Sequence, residues 1–146
     1  MQISSKFTVA LHIFTCVDAF KDEYKVTSDF LASSINTNPV IVRRILTKLK
    51  KAGLIKVARG TGGIELTRPL NKISFLDVYA AIEPKNKADL FRFHESPNPN
   101  CPVGRNIHNL LDGKLVAIQE AMESEMKRYT IADLSSELHE LLREQE

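Results

Sequence analysis

Residues 27–64 read TSDFLASSINTNPVIVRRILTKLKKAGLIKVARGTGGI, and this stretch decides the fold. Thr27 is a good N-cap for a short helix from Ser28 to Ser34, with Asp29 in its first turn. Asn36-Thr37-Asn38 is turn chemistry, because short amide and hydroxyl side chains bond their own backbone. Asn38 then caps a second helix, and Pro39 fits its first position, where a missing N–H costs nothing. That helix continues to Ala52, and Gly53 ends it. Val42, Ile45, Leu46 and Leu49 supply its inward face, while Arg43, Arg44, Thr47 and Lys51 point elsewhere. Leu54 to Ala58 reads as a strand, Arg59-Gly60-Thr61-Gly62-Gly63 as a tight turn, and Ile64-Glu65-Leu66 as the return strand. Together these make a helix–turn–helix followed by a β-wing.

No acidic residue occurs from Phe30 to Ile64, yet Arg43, Arg44, Lys48, Lys50, Lys51, Lys56 and Arg59 all fall there. Basic residues clustered on such a unit suit the DNA backbone and its grooves. A merely solvated basic helix would account for the charge but not for the architecture. The whole chain has 146 residues and a formal charge of only +2. Split in two, residues 1–70 carry 11 Lys and Arg against 5 Asp and Glu, whereas 71–146 carry 9 against 13. A basic half facing a polyanion and an acidic half facing water or partners fit that asymmetry.

Outward from the wing the pattern is helical. Ser4 or Ser5 can cap a helix to about Phe20. Phe7, Leu11, Phe14 and Val17 mark one apolar face of it, and Val9, Ile13, Cys16 and Phe20 another, so it is buried from two sides. Past Pro69, Ser74 and Asp77 form a capping-box start for a helix through Ile82, which Pro84 ends. Residues 84–102 are loop-like, with Pro97, Pro99 and Pro102. A long amphipathic stretch follows from about Val103 to Tyr129, weakened at Gly113. Its stripe of Ile107, Leu110, Leu111, Leu115, Ile118, Met122 and Met126 exceeds what so small a chain can cover, so a partner helix is expected. Thr130 caps a last helix with Leu134, Leu138, Leu141 and Leu142 on one face. The expected fold is mainly α with a small β-wing. A winged helix-turn-helix domain spans 1–83, a sensor or linker loop 84–102, and a helical dimerisation region 103–146.

In a helix–turn–helix the second helix reads the major groove through its N-terminal residues. Asn38, Val40, Arg43 and Arg44 are the nearest candidates, with Ser28 and Pro39 beside them. Lys48, Lys50 and Lys51 lie farther along and suit phosphate or water. Arg59, with Thr61 and Gly62 at the wing tip, suits a narrow minor groove; the alternative is that these glycines only make a hairpin. No Ser/His/Asp set or paired-carboxylate site stands out. The glycine-rich turn also lacks the Lys-Ser/Thr ending of a phosphate loop, so no enzyme is expected. No segment approaches the roughly 20 apolar residues of a membrane span, and no signal peptide is visible. With two cysteines there is no disulfide scaffold, and the expected location is the cytoplasm.

Asn36 to Val40, then Val42-Arg43-Arg44, then Lys51 to Ile55, then Arg59 to Gly63 resemble the signature of the Rrf-two family of bacterial winged-helix regulators. Ser4 to Phe20 and Ile73 to Val78 fit it as well. The resemblance covers most of the chain and is strongest over residues 27–83. It implies a homodimer held by the long C-terminal helix, bound to double-stranded DNA at pseudo-palindromic operators and usually repressing. The family's recognition helix and wing arginine map onto Asn38 to Lys48 and Arg59. Cluster-binding members carry three cysteines in the loop before the long helix, whereas this loop holds only Cys101. One thiolate does not meet the needs of an iron–sulfur cluster within one subunit, so no cofactor or metal is expected, with a cluster shared across a dimer as the weaker alternative.

Cys101 precedes the long helix, where the helix dipole favours a thiolate, and Arg105 sits one turn on. It reads either as an oxidisable thiol or as a packed, inert one. Some cluster-free relatives are thiol-based redox sensors, so the resemblance allows the first. Cys16 lies in the doubly apolar first helix and reads as a small buried hydrophobe. A disulfide between Cys16 and Cys101 of two subunits needs a distance that sequence does not supply. The competing reading leaves both cysteines inert and gives control to an unknown small-molecule or protein partner at the 84–102 loop, through Leu90, Phe91 and Phe93.

Overall fold

In the computed structural model, residues 3–58, 63–83, 90–91 and 93–146 are described. Arg59, Thr61 and Gly62 at the expected wing tip lie outside these residues, as does Pro84.

Helix α1, Ser5–Phe20, starts where the Ser4 hydroxyl accepts from the Lys6 N–H at 3.1 Å. Phe7, Ala10, Ile13, Phe14, Cys16 and Val17 are buried, which is the two-faced burial its pattern requires. Helix α2, Ser28–Ile35, is capped by Thr27, whose hydroxyl accepts from the Phe30 N–H at 3.2 Å. It closes on Asn36 at φ 60°, a left-handed position that a short amide side chain tolerates. Helix α3, Pro39–Lys51, opens with the Asn38 Oδ1 accepting from the Val40 N–H at 2.8 Å. It gives way to Gly53 at φ +76°, where a side chain would be strained. Val42, Ile45, Leu46 and Leu49 turn into the core.

Strands β1, Ile55–Val57, and β2, Ile64–Leu66, pair antiparallel, with Ile55 opposite Leu66 and Val57 opposite Ile64. The Ile64 N–H also donates to the Val26 carbonyl at 3.1 Å, tying the segment before α2 to the wing. Leu54, Ile55 and Ile64 are buried, so the wing's root belongs to the core. A short 3-10 turn, Leu70–Lys72, leads to α4, Phe75–Ile82, whose Ser74 and Asp77 form a reciprocal capping box.

Helix α5, Pro102–Arg128, runs 27 residues and continues through Gly113, as its sequence pattern requires. A lone glycine costs a helix only about 1 kcal/mol against alanine, and the long flanking turns absorb it. Helix α6, Ile131–Glu144, begins at a capping box of Thr130 and Asp133. It folds back onto α1, where Ser135 Oγ donates to Asp18 Oδ2 at 2.6 Å and Ile131 is fully buried. Two backbone bonds lock this return: Phe75 N–H to the Tyr129 carbonyl at 2.9 Å and Ile131 N–H to the Ile73 carbonyl at 3.0 Å. Of α5, Met122 and Met126 pack against this core, and no residue of that helix is buried.

Candidate nucleic-acid interface

Helix α3 divides cleanly. Its core face holds it against α2 and α4, and its opposite face presents Val40, Ile41, Arg43, Arg44, Thr47, Lys50 and Lys51 to solvent. Val40 and Ile41 are 46% and 39% exposed at the first turn. Exposed aliphatic side chains beside arginines can meet a thymine methyl while the arginines meet guanine. Ile41 was missed in the sequence, although four core positions fixed the helix phase and left it outward. Asn38 is exposed, but its Oδ1 is engaged as the cap, leaving its amide donors for a ligand. Pro39 is half-buried at the helix start.

The basic side chains have unlike surroundings. Arg43 Nε donates to Ser28 Oγ at 3.3 Å, and Arg43 Nη2 to Asp29 Oδ1 at 3.4 Å. Ser28, half-buried at the start of α2, therefore touches the candidate reader directly. Lys48 donates its ammonium to the Ile82 carbonyl at 3.2 Å, a contact that its place in the sequence did not announce. There it satisfies the C-terminal end of α4, where orphan carbonyls favour a cation. Lys56 pairs across the strands with Glu65 at 3.4 Å, and Arg68 meets Asp77 at 3.7 Å. Arg44, Lys50 and Lys51 make no ion pair among the described residues and remain available to phosphate.

The two cysteines are equally unlike. Cys16 is 5% exposed, with its Sγ 3.2 Å from Ser34 Oγ, and the exposed His12 Nε2 lies 3.1 Å from that same oxygen. Cys101 is partly exposed at the N-cap of α5. Its side chain makes no full capping hydrogen bond, yet the backbone N–H groups of Gly104 and then Val103 face the sulfur and hold its thiol below the usual range. Gly104 is required there: a Cβ on it would stand 2.5 Å from the Asn98 carbonyl oxygen. Leu90, Phe91 and Phe93 are half-buried rather than fully exposed, and the Phe93 ring lies 4.4 Å from that of His108.

A family model described as "Rrf2: Iron-dependent Transcriptional regulator" matches residues 3–137. The Bacillus subtilis (strain 168) protein named "Putative HTH-type transcriptional regulator YwnA" is 40% identical over 136 residues, covering 93% of this chain and 98% of that one. A solved structure described as that of "a putative DNA binding protein" is similar at 37% identity and TM-score 0.72, over 89% of this chain and 98% of that one. A transcriptional regulator structure from Lactobacillus plantarum, also described as putative, is similar at 30% identity and TM-score 0.76, over 98% of each chain.

Iron appears in the family's description, but the donors here do not fit an iron–sulfur cluster. The chain's two cysteines sit on different elements, one of them buried beside Ser34. Among the described residues, no group of three or more His, Cys, Asp or Glu could hold a metal. Likewise, no helix among them is long and apolar enough to cross a membrane. The match over nearly the whole chain, joined to a helix–turn–helix with a two-stranded wing, establishes that this chain belongs to the Rrf2 (Rrf-two) family and is a DNA-binding transcriptional regulator, not an enzyme.

Proposed function

We propose that the chain acts as a homodimeric repressor on a pseudo-palindromic operator. Helix α3 enters the major groove, with Val40, Arg43 and Arg44 on base edges or flanking phosphate. The wing tip, with Arg59, Thr61 and Gly62, follows the neighbouring minor groove. The observation that carries this reading is the outward face of α3, where two uncovered aliphatic side chains stand among basic ones. Residues 1–83 hold DNA, 84–102 connect, and 103–146 supply the dimer contact through α5. That helix is about 40 Å long at 1.5 Å per residue. Leu110 and Ile118 on it are 51% and 53% exposed, more apolar surface than a monomer's lone helix should leave in water.

Control falls to Cys101. A hydroperoxide is the oxidant: the thiolate sulfur attacks its terminal oxygen, the O–O bond breaks, and hydroxide or alkoxide leaves. Sulfur loses two electrons and becomes a sulfenic acid. The new group at the N-cap presses on the Asn98–Gly104 contact, tilts α5, and changes the spacing of the two recognition helices.

The experiment uses a promoter carrying the best duplex that the chain selects from a random pool. Transcription in vitro should fall when the reduced protein is added, recover with peroxide, and stay low with peroxide for Cys101→Ser. Enhanced transcription would contradict repression. Repression indifferent to peroxide would contradict control by Cys101 and move it to a ligand or partner.

A further inference from the structure

Asp29 is the last acid before the acid-free run, and it stands on the edge of α2 that borders the exposed face of α3. A carboxylate beside DNA phosphate opposes binding, so its presence there needs a reason. As a first-turn acid it favours the α2 dipole, but that role does not require contact with Arg43. Nor does the ion pair add much stability, since the side chains are 76% and 56% exposed.

Its geometry supplies the reason. A guanidinium has five N–H donors arranged in two forks, one side-on through Nε and Nη2, the other end-on through Nη1 and Nη2. Ser28 Oγ accepts from Nε at 3.3 Å, and Asp29 Oδ1 accepts from Nη2 at 3.4 Å. The side-on fork is therefore taken by α2, and no other described residue bonds the end-on fork. We infer that Ser28 and Asp29 are positioning residues that hold Arg43 by its side-on edge and aim its end-on fork at guanine O6 and N7. This rests on the reading of Arg43 as a base reader. A long, exposed arginine would otherwise lose rotamer freedom on binding and could bond phosphate equally well. Holding it from α2 trades affinity for discrimination.

The test compares the duplex selected by the unmodified chain with a random duplex, for Asp29→Asn, Ser28→Ala and Arg43→Ala. Asp29→Asn should bind random duplex more tightly and lower the specific-to-random affinity ratio by about threefold. Ser28→Ala should lower the ratio as well. A new selection with Asp29→Asn should lose enrichment of one guanine in each half-site. If Arg43→Ala lowers the ratio while Asp29→Asn and Ser28→Ala both leave it unchanged, the positioning role is overturned and Arg43 remains the reader. If Arg43→Ala also leaves the ratio unchanged, the reading of Arg43 fails and the inference falls with it.

Discussion

Lys48 and Lys51 sit one turn apart on α3, yet their surroundings separate them. Lys51 is exposed, so Lys51→Ala should weaken binding to all duplexes alike and reduce the slope of log affinity against log salt by about 1. Lys48 is committed to the Ile82 carbonyl, so Lys48→Ala should lower the melting temperature and leave that slope unchanged. A salt titration beside a thermal melt checks both. The cysteines separate in the same way. With its thiol held low by the amides of Gly104 and Val103, Cys101 should alkylate in the native protein with a pH midpoint below that of an ordinary thiol. A thiol reacts as its thiolate, so lowering the pKa moves the labelling curve toward acid. Cys16 should react only on unfolding, as mass spectrometry of labelled peptides would show. At this scale the sequence disclosed what is local. Asn38, Pro39 and Thr27 announce their caps because a cap is a contact within three residues. The contacts of Arg43 with Asp29 and of Lys48 with Ile82 were hidden, because they depend on how α3 crosses α2 and α4.

Among the elements, α6 makes a contact that its place in the 103–146 region did not announce. Its apolar spacing and its place after the long helix suggest a continuation of the dimer arm. Yet Ile131 is fully buried in the winged core, and Ser135 fastens the helix to Asp18. Ile131→Ala should therefore cost about 2–5 kcal/mol of stability in denaturant unfolding, as for a core position. A negligible cost would mean that α6 is not part of that core. The bounds of the other elements were readable to within a residue or two, because caps and glycines mark them chemically. The destination of α6 was not, since Leu134 and Leu138 have the same periodicity whichever helix they meet.

For the molecule as a whole, α5 poses the main physical question. It touches the core through Met122 and Met126 and leaves Leu110 and Ile118 in water. A second copy pairing along this helix would cover that stripe by an isologous contact. Leu110→Asp with Ile118→Asp should then give a monomer in sedimentation while the winged core still melts cooperatively. An unchanged sedimentation coefficient would contradict a dimer held along α5. The sequence made this stripe legible by its excess over what the chain could cover. It left the wing tip's position and the control of binding as expectations, because these depend on DNA and on chemistry at one thiol.

Selection from a pool of random-sequence duplexes would show whether two copies of α3 recognise DNA with two-fold symmetry. Two such helices should enrich a two-fold-symmetric motif whose half-sites lie about one helical turn apart, with Arg43→Ala losing a base preference in each half. Enrichment of a single asymmetric half-site, or of no sequence over the starting pool, would contradict two-fold recognition.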